Sequence, residues 1–148
     1  MKAKIRWMIR RDLPHVLEIE REAYGFPEGE DELNLVLRQR NVVAMVAEHE
    51  TGEILGHMIY ELQPDHFRML SLAVAKDWRR QGIGRELIAK LLNKLVQQGR
   101  SYVSFEVHET CLPVQLFLRS QGFSAVAILK GIDEDAYVME RHVESVAR

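Results

Sequence analysis

A chain of 148 residues fits one domain of ordinary size, and at about that length roughly two-thirds of the unfolded surface is buried on folding. With 47% hydrophobic and 28% charged residues it can build a core, which excludes a disordered tail, and a net charge of −2 excludes a strong overall pull toward nucleic acid or an anionic membrane. The single cysteine, Cys111, excludes an internal disulfide and suggests no thiolate metal site. The first residues, Met1-Lys2-Ala3-Lys4-Ile5-Arg6-Trp7, are charged and lack the apolar run of a signal peptide. No stretch of about 18 apolar residues is present to cross a bilayer. These features point to a cytoplasmic protein with no membrane and no nucleic-acid partner.

No repeat or Pro/Gly-rich linker divides the sequence, so residues 1–148 read as one domain. Residues 5–9 read as a first strand. Asp12 then caps a helix with Pro14 in its first turn, and Leu13, Val16, Leu17, Ile19 and Ala23 recur at helical spacing. Gly25, Pro27 and Gly29 break it. A second helix covers residues 31–40, with Leu33, Val36 and Leu37 on one face. The apolar run 42–47 reads as a strand buried on both faces. Glu50-Thr51-Gly52-Glu53 is a turn signal, residues 54–62 are the returning strand, and 67–75 form another.

The most regular helix follows, with Gly84, Leu87, Ile88, Leu91, Leu92, Leu95 and Val96 in register and Gly99 as its stop. Residues 102–107 alternate as a strand, 113–121 form a helix stopped by Gly122, and 123–129 and 136–140 are the last strands. The order β-α-α-β-β-β-α-β-α-β-β contains one strand–helix–strand unit flanked by hairpins. It predicts an α/β fold with helices on the faces of a mixed sheet.

The turn between the 67–75 strand and the most regular helix carries a chemical signal. A helix N-terminus offers unpaired N–H groups and a partial positive charge, which together bind phosphate. Gly82 and Gly84 lack side chains that would block the backbone, and Arg79, Arg80 and Arg85 add positive charge where helices ordinarily favour acids. Local composition leaves a second reading open, a glycine turn with solvated arginines. There is no Gly-x-x-x-x-Gly-Lys-Ser/Thr segment, and Leu87 stands where a dinucleotide fingerprint needs its third glycine.

The segment Arg79-Arg80-Gln81-Gly82-Ile83-Gly84 resembles motif A of the GNAT acetyltransferases. Leu72-Ala73-Val74 before it, the amphipathic helix after it and the distal Ser120-Gln121-Gly122-Phe123 are similar to the same family. Within the superfamily the chain is most similar to the RimI group, N-terminal acetyltransferases of a ribosomal protein. The residues carrying that likeness are Phe26-Pro27, Phe105-Glu106-Val107 and Glu134-Asp135-Ala136-Tyr137. The resemblance implies a mixed, mostly antiparallel sheet of about seven strands flanked by about four helices. It implies acetyl-CoA as acetyl donor and no metal. The pantetheine arm would pair with Leu72, Ala73 and Val74. The pyrophosphate would sit on the backbone of the turn, Arg79, Arg80, Gln81, Gly82, Ile83, Gly84 and Arg85. Cys111 falls where the group carries a cofactor-contacting asparagine.

Acetyl transfer needs a neutral amine, help for the oxyanion and a leaving thiolate. Glu106 lies on the less apolar side of its strand, opposite Val103, Phe105 and Val107, and spacing alone also allows an exposed glutamate without a role. The resemblance implies that it is the general base. The same resemblance places a tyrosine, as general acid, four residues before the glycine of the Gly-Phe pair; here that residue is Leu118, which has no proton to give. Tyr137 is a candidate substitute, with packing as the competing reading. The six histidines, His15, His49, His57, His66, His108 and His142, lack metal spacing, and Trp7 and Trp78 read as packing residues. Glu28, Glu30, Asp31 and Glu32 serve either as an acidic helix start or as an attraction for a positively charged N-terminal peptide. Three functions remain: N-terminal acetylation of a protein, acetylation of a small amine, and acetyl-CoA sensing without efficient turnover. Oligomeric state is not legible.

Overall fold

The computed structural model describes residues 3–24 and 30–143. Its elements are β1 (Lys4–Trp7), a short 3-10 turn (Arg10–Asp12), α1 (Leu13–Tyr24), α2 (Glu30–Leu37), β2 (Val42–Glu48), β3 (Ile54–Leu62), β4 (His66–Val74), a second 3-10 turn (Lys76–Trp78), α3 (Ile83–Gln97), β5 (Tyr102–His108), α4 (Leu112–Ser120), β6 (Ser124–Leu129) and β7 (Ala136–His142). The seven strands form one sheet in the order β1-β2-β3-β4-β5-β7-β6. The β1–β2, β2–β3, β5–β7 and β6–β7 pairs are antiparallel, and β4–β5 is parallel. The α/β expectation of about seven strands and four helices is met, and the one parallel pair is joined through α3, as a crossover requires. The break expected at Gly25, Pro27 and Gly29 lies outside the described residues, as do Phe26 and Glu28.

Contacts gather the chain into two units, Met1–Leu62 with Leu70–Lys90, and Gln63–Met69 with Leu91–Arg148. In the first, Leu13, Val16 and Ile19 of α1 and Leu33 of α2 pack with Val46, Ile54, Ile59 and Ala73 of the strands. These are the positions that helical spacing selected, except that Ala23 is exposed. A Cβ on Gly56 would lie 2.8 Å from the Ala73 carbonyl and 3.5 Å from Ile83, so only glycine lets β3 approach β4 this closely. Residues 42–44 are half-buried, and full burial in β2 is confined to Met45, Val46 and Ala47. His57 is buried beside Glu20 and Ser71, its Nε2 2.6 Å from the Glu20 carboxylate. In the second unit Val103, Phe105, Val107, Leu118, Phe123 and Met139 are buried, and the Arg100 guanidinium lies 5.2 Å from the centre of the Phe67 ring.

Several boundaries moved for identifiable reasons. β1 ends at Trp7, and Asp12 does not begin α1 as a cap. Its carboxylate instead takes a two-pronged contact from Arg6, 2.8 and 2.9 Å, and the Ile9 amide at 2.8 Å. Trp7 is 65% exposed and does not pack, whereas Trp78 donates its indole N–H to Glu53 at 2.9 Å. Val96 faces out of α3 while Ile83, Leu87, Ile88, Leu91 and Leu95 are buried. Gly99 stops α3 at φ +71, and Gly122 follows α4 at φ +86.

Asp12 is buried, and the Arg6 hydrogen bonds, helped by the Ile9 amide, hold its carboxyl below the usual carboxylate range against the opposing effect of burial. A lowered folded-state pKa stabilises the fold above the unfolded value, about 4, and the gain is lost as pH falls through the folded value. Asp12→Asn is therefore expected to cost about 3 kcal/mol at pH 7. The gap from the parent protein in urea unfolding should narrow below about pH 4. A gap that persists undiminished at low pH would refute the assignment.

Candidate active site

The residues singled out in the sequence fall in two places. The first is the end of β4 and the turn into α3. Leu72 and Ala73 are buried and Val74 is half-buried. The β4–β5 ladder runs from His66↔Tyr102 to Met69↔Phe105, so Leu72, Ala73 and Val74 lie beyond its last pair. Arg79 donates its Nε to the Val74 carbonyl at 3.1 Å, folding the turn back onto the end of β4. Gln81 reaches the Asp77 carbonyl at 3.4 Å.

The backbone of this turn is unusual. Arg80 has φ +63 and Gly82 has φ +86, and Arg80 is the one non-glycine residue at positive φ among the described residues. An L residue held there costs about 1–2 kcal/mol. Left-handed residues in such a turn aim successive amides toward one side, making a concave seat for an anion. The first hydrogen bond of α3 runs from the Glu86 amide to the Gly82 carbonyl at 3.0 Å. The amides of Ile83, Gly84 and Arg85 therefore have no acceptor within the helix. A Cβ on Gly82 would meet only Arg85 Nη2, at 3.7 Å, so the conformation rather than lack of space demands glycine there. Arg80 and Arg85 are exposed, and neither is in an ion pair among the described residues. Buried Ile83 anchors the helix start. Free amides and three arginines against Glu86 as the acid of the first turn leave this end of α3 suited to an anion.

The second place is β5 with its neighbours. Val103, Phe105 and Val107 are buried while Ser104 is half-buried and Glu106 exposed, as alternation predicts. Arg68 pairs in register with Ser104, one step from Glu106 on the same face. Its guanidinium contacts the Glu106 carboxylate at 3.0 and 3.2 Å. The sequence reading missed Arg68. The alternation of β4, with Phe67 and Met69 buried around it, puts Arg68 on the outward face, but only the parallel register brings it to Glu106.

Tyr137 pairs with Val107, and Glu106 pairs with Val138. Side chains alternate along a strand, so Tyr137 leaves the sheet on the face opposite Glu106. That geometry favours packing over proton donation. Leu118 is fully buried on α4. Cys111 is a free, half-buried thiol preceding α4, its carbonyl accepting from the Gln115 amide at 3.2 Å. Beside it the β6–β7 loop is tied to the end of β5, with Glu134 accepting from Thr110 at 2.8 Å and lying 2.9 Å from His108 Nδ1. Among the described residues no three His, Cys, Asp or Glu side chains gather to hold a metal ion, and no helix is long and apolar enough to cross a membrane.

Known proteins share this plan. The chain is 28% identical over 143 residues to the ribosomal protein bS18-alanine N-acetyltransferase of Escherichia coli, covering 86% of this chain and 89% of that protein. It is 25% identical to the enzyme of the same description from Haemophilus ducreyi, covering 91% and 97%. Its fold superposes on the crystal structure of the Escherichia coli enzyme with a TM-score of 0.85 at 25% identity, covering 99% and 96%. An aminoglycoside 6'-N-acetyltransferase complexed with coenzyme A shares the fold at a TM-score of 0.81 and 15% identity, covering 98% and 99%. The sequence model of the Acetyltransferase (GNAT) family matches residues 7–123, a span that takes in the anion turn, Arg68, Glu106 and the α4 stop. The chain belongs to the GNAT family and is an acetyl-CoA-dependent N-acetyltransferase.

Proposed function

We propose that the chain acetylates the α-amine at a protein N-terminus, with Glu106 as general base. The observation that carries this reading is the place of Glu106, a half-exposed carboxylate on the outward face of β5 whose one partner among the described residues is Arg68. An α-amine has a pKa near 8 and a lysine amine near 10.4, so at pH 7.5 about a quarter of the first and about one in a thousand of the second are neutral. A carboxylate is a weak base, and it suits the amine that needs least help. The names of the relatives, which are alanine N-acetyltransferases of a ribosomal protein, support the same acceptor class.

On this reading the amides and guanidinium groups between Arg79 and Arg85 hold the pyrophosphate, and the backbone of Leu72, Ala73 and Val74 lies along the pantetheine arm. Cys111 stands where the RimI group has an asparagine, and a thiol is a weaker donor than an amide. Leu118 leaves that position of α4 without a proton donor. A thiol of pKa near 8.5 can leave as thiolate, so turnover survives without a general acid, whose contribution is typically about 10²- to 10⁴-fold.

Three measurements test this reading. Two peptide pools are incubated with enzyme and acetyl-CoA, one with free N-termini and no lysine, the other with blocked N-termini and internal lysines, and acetylation is read by mass spectrometry. Label is expected in the first pool alone, falling about 10²-fold or more with Glu106→Gln. Label in neither pool, with acetyl-CoA still bound, would move the acceptor to a small amine or the protein to a sensor. Gly82→Ala is expected to weaken acetyl-CoA about tenfold by calorimetry, since an L residue at that φ costs about 1–2 kcal/mol. Tyr137→Phe is expected to keep parental turnover; a large loss would return it to the reaction.

A further inference from the structure

Arg68 approaches Glu106 in a lopsided way. Two of its donors, Nε at 3.2 Å and Nη2 at 3.0 Å, go to the same oxygen, Oε2. Oε1 accepts no hydrogen bond from any described residue. The two side chains are 43% and 42% exposed, and a pair that open to water adds little to stability. The terminal torsion of a glutamate is broad and nearly two-fold, so an unheld carboxylate samples many orientations. Two donors on one oxygen, delivered from the adjacent strand, remove most of that freedom. A lysine could place a single point charge there but could not reproduce the planar fork.

We propose that Arg68 is the positioning residue for Glu106: it occupies Oε2 and presents Oε1 to the acceptor amine. The inference rests on the reading of Glu106 as base. In the reaction the amine nitrogen forms the new C–N bond to the acetyl carbon, and its proton passes to Oε1, giving a neutral acid. The C–S bond breaks with its electron pair on sulfur. Glu106 afterwards releases its proton to water, which also supplies one to the thiolate. Arg68 does not touch the reacting atoms. It acts by fixing which oxygen is free and where that oxygen points.

The test compares Arg68→Met, Arg68→Lys, Glu106→Gln and the Arg68→Met/Glu106→Gln double variant, with acetyl-CoA and a lysine-free peptide carrying a free N-terminus. Arg68→Met should lower kcat about 10²-fold, the loss expected for a reacting group displaced by about 1 Å, while KM for acetyl-CoA stays at the parental value. Arg68→Lys should recover only part of the loss. The double variant should be no slower than Glu106→Gln alone, since a positioning residue has nothing to position once the base is gone. A crystal structure of Arg68→Met should show the Glu106 carboxylate rotated or spread over orientations. Loss of activity in Glu106→Gln with parental kcat in Arg68→Met would overturn the role of Arg68 and leave the base intact. Parental activity in Glu106→Gln would instead sink the base reading itself. A Glu106 carboxylate unmoved in the Arg68→Met crystal would overturn the proposal even if the peptide proved a poor acceptor.

Discussion

The strands β4 and β5 are separated in sequence by α3, and a crossover of that length returns the chain to the same end of the sheet, so the two strands pair in parallel. The remaining features of the candidate site depend on that register. Arg68 comes opposite Ser104 and hence diagonal to Glu106, and β7 is then laid antiparallel on the other side of β5, with Tyr137 opposite Val107. Shifting β5 by one residue would exchange its faces, burying Glu106 and exposing Phe105. The buried series Val103, Phe105 and Val107 makes such a slip costly, so the apolar half of β5 fixes the direction of its polar half.

The fitness of the turn into α3 for an anion lies in backbone geometry more than in side-chain identity. The turn into α3 holds two residues at positive φ, one of them an arginine, and the strain is tolerated because the flanking segments are tied down. Arg79 is bound to the end of β4 and Ile83 is buried. The helix contributes amides that lack intrahelical acceptors, and among the described residues Arg79, Arg80 and Arg85 form no ion pair.

The interior position of Leu118 changes how the reaction must be thought of. Leu118 is packed at 0% exposure and has no proton to give, and Tyr137 leaves the sheet on the face opposite Glu106. Among the described residues Glu106 is paired with the Arg68 guanidinium. If Glu106 is the base, as proposed, the chemistry is weighted toward deprotonating the amine and away from protonating the thiolate, which matches an acceptor of low pKa and a leaving group of moderate pKa.

Local physics made much of this legible in the sequence. Helical spacing located α1 and α3, turn residues located the β2–β3 hairpin, and alternation placed Glu106 on the outward side of β5. The glycine turn suggested an anion seat, with a plain turn carrying solvated arginines as the other reading that local composition allowed. The resemblance to the GNAT acetyltransferases rested on that same segment. Pairing between distant strands was not legible, because alternation gives a face but not a partner. Arg68 looked like any charged strand residue until the parallel register set it on Glu106, and Tyr137 looked available until the antiparallel register turned it away. The sequence likewise could not reveal that Asp12 pairs with Arg6 while closing the 3-10 turn ahead of α1, or that Arg80 is held left-handed, since both depend on contacts made only when the chain has closed. Thus the chain by itself determined its elements and the chemistry it can offer, through short-range spacing and backbone preference. The tertiary structure alone decided which charged groups meet, because strand register is a long-range choice made by the core.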